Sequence, residues 1–127
     1  MKIGLTRAAL AALLLTAALP VYAHGSMEPR HGGVTQMTGE IVFELVPTEA
    51  GLSVYLTEED EPMAASKFAA SVIVTAPGGT KTTHALVAQD GNQLLAPGVR
   101  PAAGSKVVVS ITDEATGTKS FATFQLG

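Results

Sequence analysis

The segment Glu40-Ile41-Val42-Phe43-Glu44-Leu45-Val46 decides the fold class of this 127-residue chain. Its alternate residues Ile41, Phe43 and Leu45 are apolar, and alternate residues of a β-strand share one face. Residues 52–56 repeat the pattern, as do later segments. A helix would instead need apolar residues three and four positions apart, and that period is not found after the first 19 residues. The sequence therefore predicts β-structure.

Short segments rich in Val, Ile, Leu, Phe and Thr recur about every ten residues, which is typical of an all-β domain. Turn-forming residues such as Pro77-Gly78-Gly79 and Asp90-Gly91-Asn92 separate them. The predicted strands are 34–37, 40–46, 52–57, 70–75, 82–87, 93–96, 106–112 and 120–126. We therefore expect an immunoglobulin-like antiparallel β-sandwich of seven or eight strands rather than a closed barrel. Glu40 and Glu44 are expected to solvate its outer face.

Residues 1–23 have the pattern of a cleaved secretory signal peptide. Lys2 and Arg7 precede an apolar run at 8–19, then Pro20 and a small-residue cleavage site ending at Ala23. The run is shorter than the roughly 20 residues of a membrane span. The sequence thus predicts export to the periplasm without membrane association after cleavage. It also predicts a flexible metal-binding amino terminus at 24–33 and a β-sandwich domain at 34–127.

The composition excludes several classes of function. Without Lys2 and Arg7 the mature chain would have six basic and eleven acidic residues, a net charge of −5. No basic cluster is present to neutralise phosphates, which argues against nucleic acid as a partner. The absence of cysteine excludes disulfides, thiolate metal sites and thiol nucleophiles. No nucleophile elbow, zinc-protease motif or phosphate-binding loop occurs, so we expect no enzyme activity.

The residues after the predicted cleavage site are the most informative about function. Cleavage would give His24 a free amine beside its imidazole, and these nitrogens can chelate one copper(II) ion. His31 is the expected third ligand, whereas the thioethers of Met27 and Met37 would favour copper(I). The predicted metal site is therefore His24, His31, Met27 and Met37, with copper as the ion. Glu28 is available to add an oxygen.

A simpler interpretation stays open at this point. Signal cleavage can leave any residue first, and Gly32-Gly33 is also suited to be the hinge that starts a strand. Met63, in an acidic turn, is expected to be a surface or core filler. His84 is expected to be a half-exposed strand residue.

Residues 27 to 63 resemble a pattern found in small periplasmic proteins. His31-Gly32-Gly33 is followed by a strand ending in Glu44-Leu45-Val46, then by Val54-Tyr55-Leu56 before an acidic turn containing Pro62. The pattern is similar to an amino-terminal segment of the periplasmic adaptor subunits of heavy-metal efflux pumps of the resistance-nodulation-division class. The resemblance implies a place in metal resistance and an efflux adaptor or copper protein as partner.

A looser resemblance is to periplasmic copper carriers with an immunoglobulin-like sandwich. Their mature chain begins with a histidine that ligates copper(II), and His24 would take that place. Those proteins typically add a later Asp-x-His pair, whereas His84 here follows Thr82 and Thr83. By this resemblance, His31 would have to complete the coordination.

Two functions thus follow from the sequence. The first is a periplasmic copper-binding or copper-carrying protein, monomeric or weakly dimeric. The second is an envelope interaction domain that binds no metal and docks through Gly32, Gly33 and the following strand.

Overall fold

A computed structural model describes residues 26–127. The predicted signal peptide and His24 lie outside these residues. The described chain contains nine antiparallel strands and one short 3-10 turn, Ala65–Lys67. The strands are β1 Val34–Thr38, β2 Ile41–Thr48, β3 Gly51–Glu58, β4 Glu61–Pro62, β5 Phe68–Thr75, β6 Lys81–Ala88, β7 Gln93–Pro97, β8 Lys106–Asp113 and β9 Lys119–Gln125.

The strands follow one another in the order β1-β2-β3-β7-β6-β5-β8-β9, with β4 beside the end of β3. This path folds into a first layer, which contains β1, β2, β3, β4 and β7, and a second layer, which contains β5, most of β6, β8 and β9. The two layers are connected because β6 changes neighbour along its length. Its residues 81–86 pair with β5, whereas Val87 and Ala88 pair with β7. The fold is thus an all-β antiparallel sandwich, as the alternation predicted.

The core lies between the two layers and is almost entirely aliphatic and aromatic. Alternate residues of the long strands other than β6 are buried there, as the period-2 pattern requires, whereas Leu86 is the only buried residue of β6. The fully buried large side chains include Phe43, Leu45, Leu52, Leu56, Leu94, Ile111 and Phe124. Met63 packs partly buried against this core, and His84 is half-buried on β6, as expected for both.

The sandwich is nearly closed where its first and last strands approach each other. The Thr38 hydroxyl of β1 donates a hydrogen bond of 2.6 Å to the Phe121 carbonyl of β9. No backbone ladder joins these two strands in the part of the chain described. The ends of the path therefore remain two edges held near each other by side-chain contacts.

The eight predicted strands are all present, with ends that differ by a few residues. The acidic segment after β3, expected to be a loop, also forms a tight hairpin. Its turn residues Glu59 and Asp60 have φ of 51° and 68°, a conformation that two-residue hairpin turns require. Within residues 26–127, no helix has the length and hydropathy needed to cross a membrane.

Replacing the buried phenylalanine of β9 tests the assignment of the two faces. Phe124→Ala should lower the free energy of unfolding by about 3–5 kcal/mol, because it leaves a cavity in the core. Phe121→Ala is the matched control, since Phe121 on the same strand is 53% exposed and should change stability by about 0.5 kcal/mol or less. Urea unfolding measures both, and equal losses would contradict the assigned faces.

Candidate functional site

A row of polar side chains crosses the outer face of the first layer. The register aligns Thr35 of β1 with Glu44 of β2, Glu44 with Tyr55 of β3, and Tyr55 with Gln93 of β7. These residues alternate with core residues such as Phe43, so they are directed away from the core. Glu44 is nevertheless only 5% exposed. The prediction that it is solvated is therefore wrong.

Glu44 is buried because the chain before β1 lies across this face. One carboxylate oxygen, Oε1, accepts the backbone N–H of Arg30 at 3.0 Å. The other, Oε2, accepts the N–H groups of His31 at 2.8 Å and Gly33 at 2.9 Å. Residues 26–33, which we call the strap, thus wrap three N–H donors around one carboxylate.

His31 supplies the fourth donor to the same carboxylate. Its Nδ1 lies 3.0 Å from Oε1 of Glu44, and its ring stacks on Tyr55 with centroids 3.6 Å apart and planes 6° from parallel. These two contacts fix both the position and the rotation of the imidazole. The side chain remains 39% exposed, and within residues 26–127 Nε2 has no hydrogen-bond partner.

Glu44 is more acidic than an ordinary glutamate. Burial raises its pKa, but the hydrogen bonds from the His31 side chain and from the N–H groups of Gly33, His31 and Arg30 together lower it below the ordinary value of 4.5. The carboxylate is therefore ionised at neutral pH and can only accept hydrogen bonds. Nδ1 of His31 must then carry the hydrogen. In the neutral ring, Nε2 holds the lone pair.

The two glycines of the strap are needed for different structural reasons. Gly32 has φ of +75°, a left-handed conformation that lets the chain turn over the carboxylate. Gly33 lies so close to β2 that a Cβ there would overlap the Leu45 carbonyl and the Val46 side chain. The His-Gly-Gly sequence is thus required by the geometry around Glu44.

The strap is also held at its outer end by the β3–β4 turn. The Arg30 guanidinium forms an ion pair with Asp60 at 3.1 Å, and the Ser26 N–H donates to the same carboxylate at 2.7 Å. The Thr35 hydroxyl donates to the Met27 carbonyl at 2.7 Å. These contacts are exposed, so each contributes little alone. They nevertheless fix the course of the strap over the sheet.

The structure brings one predicted ligand, His31, into a defined position. Met37 lies on the same outer face of β1, opposite Val42 in the register, and Met27 is 40% exposed on the strap. His24 lies outside the described residues. Within residues 26–127, no group of three His, Cys, Asp or Glu side chains is placed to hold a metal ion. The predicted four-ligand set thus remains a prediction.

Glu44 and Tyr55 are the residues that sequence reasoning missed. Their roles depend on a strap that folds back over the sheet, and strand periodicity carries no information on that. One signal was available: an acid and an aromatic residue occupy the same face of neighbouring strands, just downstream of a His-Gly-Gly turn. The cavity under the strap is only about 10 Å³, about one water in size, so it has no room for a larger ligand.

No protein-family model, curated protein or solved structure matches the chain.

Removing the charge of Glu44 should make the free energy of unfolding less dependent on pH in the acid range. A group with a lowered pKa in the folded state contributes stability above its ordinary value of 4.5, and that contribution is lost as the pH falls through the folded value. Glu44→Gln should therefore cost about 1–3 kcal/mol at pH 7 and progressively less below pH 4.5.

The measurement is urea unfolding of both proteins across a pH series. Glu40→Gln is the control, since Glu40 is exposed in the β1–β2 turn and should change stability by about 0.5 kcal/mol or less. A Glu44→Gln deficit that stays constant down to pH 2 would contradict the account of Glu44 as an ionised acceptor.

Proposed function

We propose that this chain is an exported metal-binding protein that binds or carries copper in the periplasm, with His31 as its central ligand. The observation that carries the proposal is the hydrogen bond between Nδ1 of His31 and the buried carboxylate of Glu44. Histidines that ligate metals usually donate their second ring nitrogen to a carboxylate or carbonyl, which fixes the tautomer and makes the ligating nitrogen more basic. His31 has this arrangement.

The four contacts to Glu44 also define what this residue does in the proposed site. A carboxylate has about four lone-pair positions, and three backbone N–H groups and one imidazole occupy them. Glu44 therefore orients His31 and does not itself bind the ion. The ion would lie on the solvent side of the ring, at Nε2.

The remaining ligands would come from Met27, Met37 and His24. Met27 is exposed on the strap, and Met37 shares the outer face of the sheet. His24 is seven residues before His31, and after signal cleavage it would offer an amine and an imidazole. Nitrogen ligands suit copper(II) and thioethers suit copper(I), so this mixed set favours copper over calcium or magnesium.

Copper titration of the mature protein tests the proposal. Intact mass of protein purified from a periplasm should show a chain that begins at His24, and this material should bind one equivalent of copper(II). His31→Ala should abolish tight binding, and Glu44→Gln should weaken it by about 10- to 100-fold, because the ring loses its orienting partner. His84→Ala is the control and should bind as the unmodified protein does.

Two outcomes would overturn the proposal. His31→Ala could bind copper(II) as tightly as the unmodified protein, which would remove His31 from the site. Alternatively, the mature protein could bind no copper more tightly than free histidine does. The second outcome would favour the other function, an envelope interaction domain that docks on an efflux adaptor or another periplasmic protein.

The methionines should matter for one oxidation state only. Met27→Leu combined with Met37→Leu should lower copper(I) affinity by about tenfold or more and leave copper(II) affinity nearly unchanged, since thioether sulfur prefers the softer ion. Competition with a chromophoric copper(I) chelator measures the effect. Met63→Leu serves as the control. Equal losses for the two oxidation states would argue against thioether ligation.

A further inference from the structure

A second candidate site lies where β6 and β7 separate. The two strands pair only at Val87 and Ala88, because the earlier part of β6 belongs to the other layer. The space between the start of β6 and residues 97–101, which include the end of β7 and the loop after it, is an open cleft of about 300 Å³. None of its lining residues contributes to the site around His31.

The apolar part of this cleft's lining is held in place by the backbone. Val74, Pro97, Val99 and Pro101 form this part. The Gly98 N–H donates to the Ala50 carbonyl at 2.8 Å, which ties the loop to the β2–β3 turn. The two prolines restrict the backbone further. The cleft is therefore formed before any ligand enters it.

Arg100 gives the cleft a positive charge that the described chain does not neutralise. Its Nη1 donates to the Thr48 carbonyl at 3.4 Å, and its Nη2 donates to the Glu49 carbonyl. These contacts orient the guanidinium but leave its charge uncompensated. Arg100 forms no ion pair with any carboxylate of residues 26–127.

Thr82 and His84 add a hydrogen-bond donor on the opposite wall. Nε2 of His84 lies 3.0 Å from the Thr82 hydroxyl oxygen. If Nε2 carries the hydrogen, it donates to the hydroxyl, whose own hydrogen is then available to a ligand. If the hydroxyl donates to Nε2, the hydrogen of the neutral ring is on Nδ1 instead. Either arrangement leaves the pair one donor.

We propose that this cleft binds a small organic carboxylate. Apolar walls with a few converging polar groups are typical of small-molecule sites. A guanidinium is the side chain that best matches the planar fork of a carboxylate. The apolar part of the ligand would pack on Val99 and the prolines, with its carboxylate towards Arg100.

Benzoate is the probe, and benzamide is its neutral isostere. In two-dimensional NMR of the mature protein, benzoate should shift the amide signals of Thr82, His84, Val99 and Arg100, with a Kd on the order of 1 mM. Benzamide and acetate should bind at least about tenfold more weakly, because each lacks one of the two contacts. Equal binding of benzoate and benzamide would overturn the proposal, as would the absence of localised shifts.

Two variants keep the proposal falsifiable if one of them disturbs the fold. Arg100→Gln should weaken benzoate binding by about 10- to 100-fold, as expected for a lost charge-assisted hydrogen bond. Thr82→Val keeps the shape of a strand residue and should weaken binding less. Lys81→Gln is the control, since it removes a neighbouring charge that does not line the cleft. If folded Arg100→Gln binds normally, or if Lys81→Gln weakens binding as much, the proposal is wrong.

Discussion

One buried carboxylate organises the amino-terminal half of this protein. Four donors from the strap converge on Glu44, and they satisfy a charge that burial alone would disfavour. The cost of leaving such a group unsatisfied makes the strap part of the fold. The same contacts determine which nitrogen of His31 faces solvent. The hydrogen bonds to Glu44 thus both hold the strap in place and leave Nε2 of His31 facing solvent.

The fold class was predictable because the strands alternate cleanly. One buried face can be read directly from the apolar residues Ile41, Phe43 and Leu45. On β9, the side chains of Phe121 and Phe124 lie on opposite faces of the strand and therefore differ in burial. The crossing of β6 from one layer to the other left no such signal. It depends on how far two strands stay paired, which is settled by packing across the core rather than by the local sequence.

Of the candidate site around Glu44, only the exposed residue His31 was predictable from the sequence. His31 stands out because histidine near a predicted mature amino terminus suggests metal chemistry. Because Glu44 alternates with core residues, the sequence predicts that it faces solvent, and the alternation itself is correct. What alternation cannot reveal is whether another segment covers the outer face. The cleft at Arg100 was equally hidden, since its walls come from three separate parts of the chain.

The separation in sequence between partners implies an order of folding. Gly33 and Glu44 are 11 residues apart, so closing the loop between them costs little conformational entropy. Gly51 and Pro97, which join β3 to β7, must instead close a much longer loop. The strap and the first three strands therefore form a unit of local contacts that can assemble before the second layer exists. The surface that presents His31 would then depend on contacts as local as those of the β5–β6 and β8–β9 hairpins, and not on the long loop that joins β3 to β7.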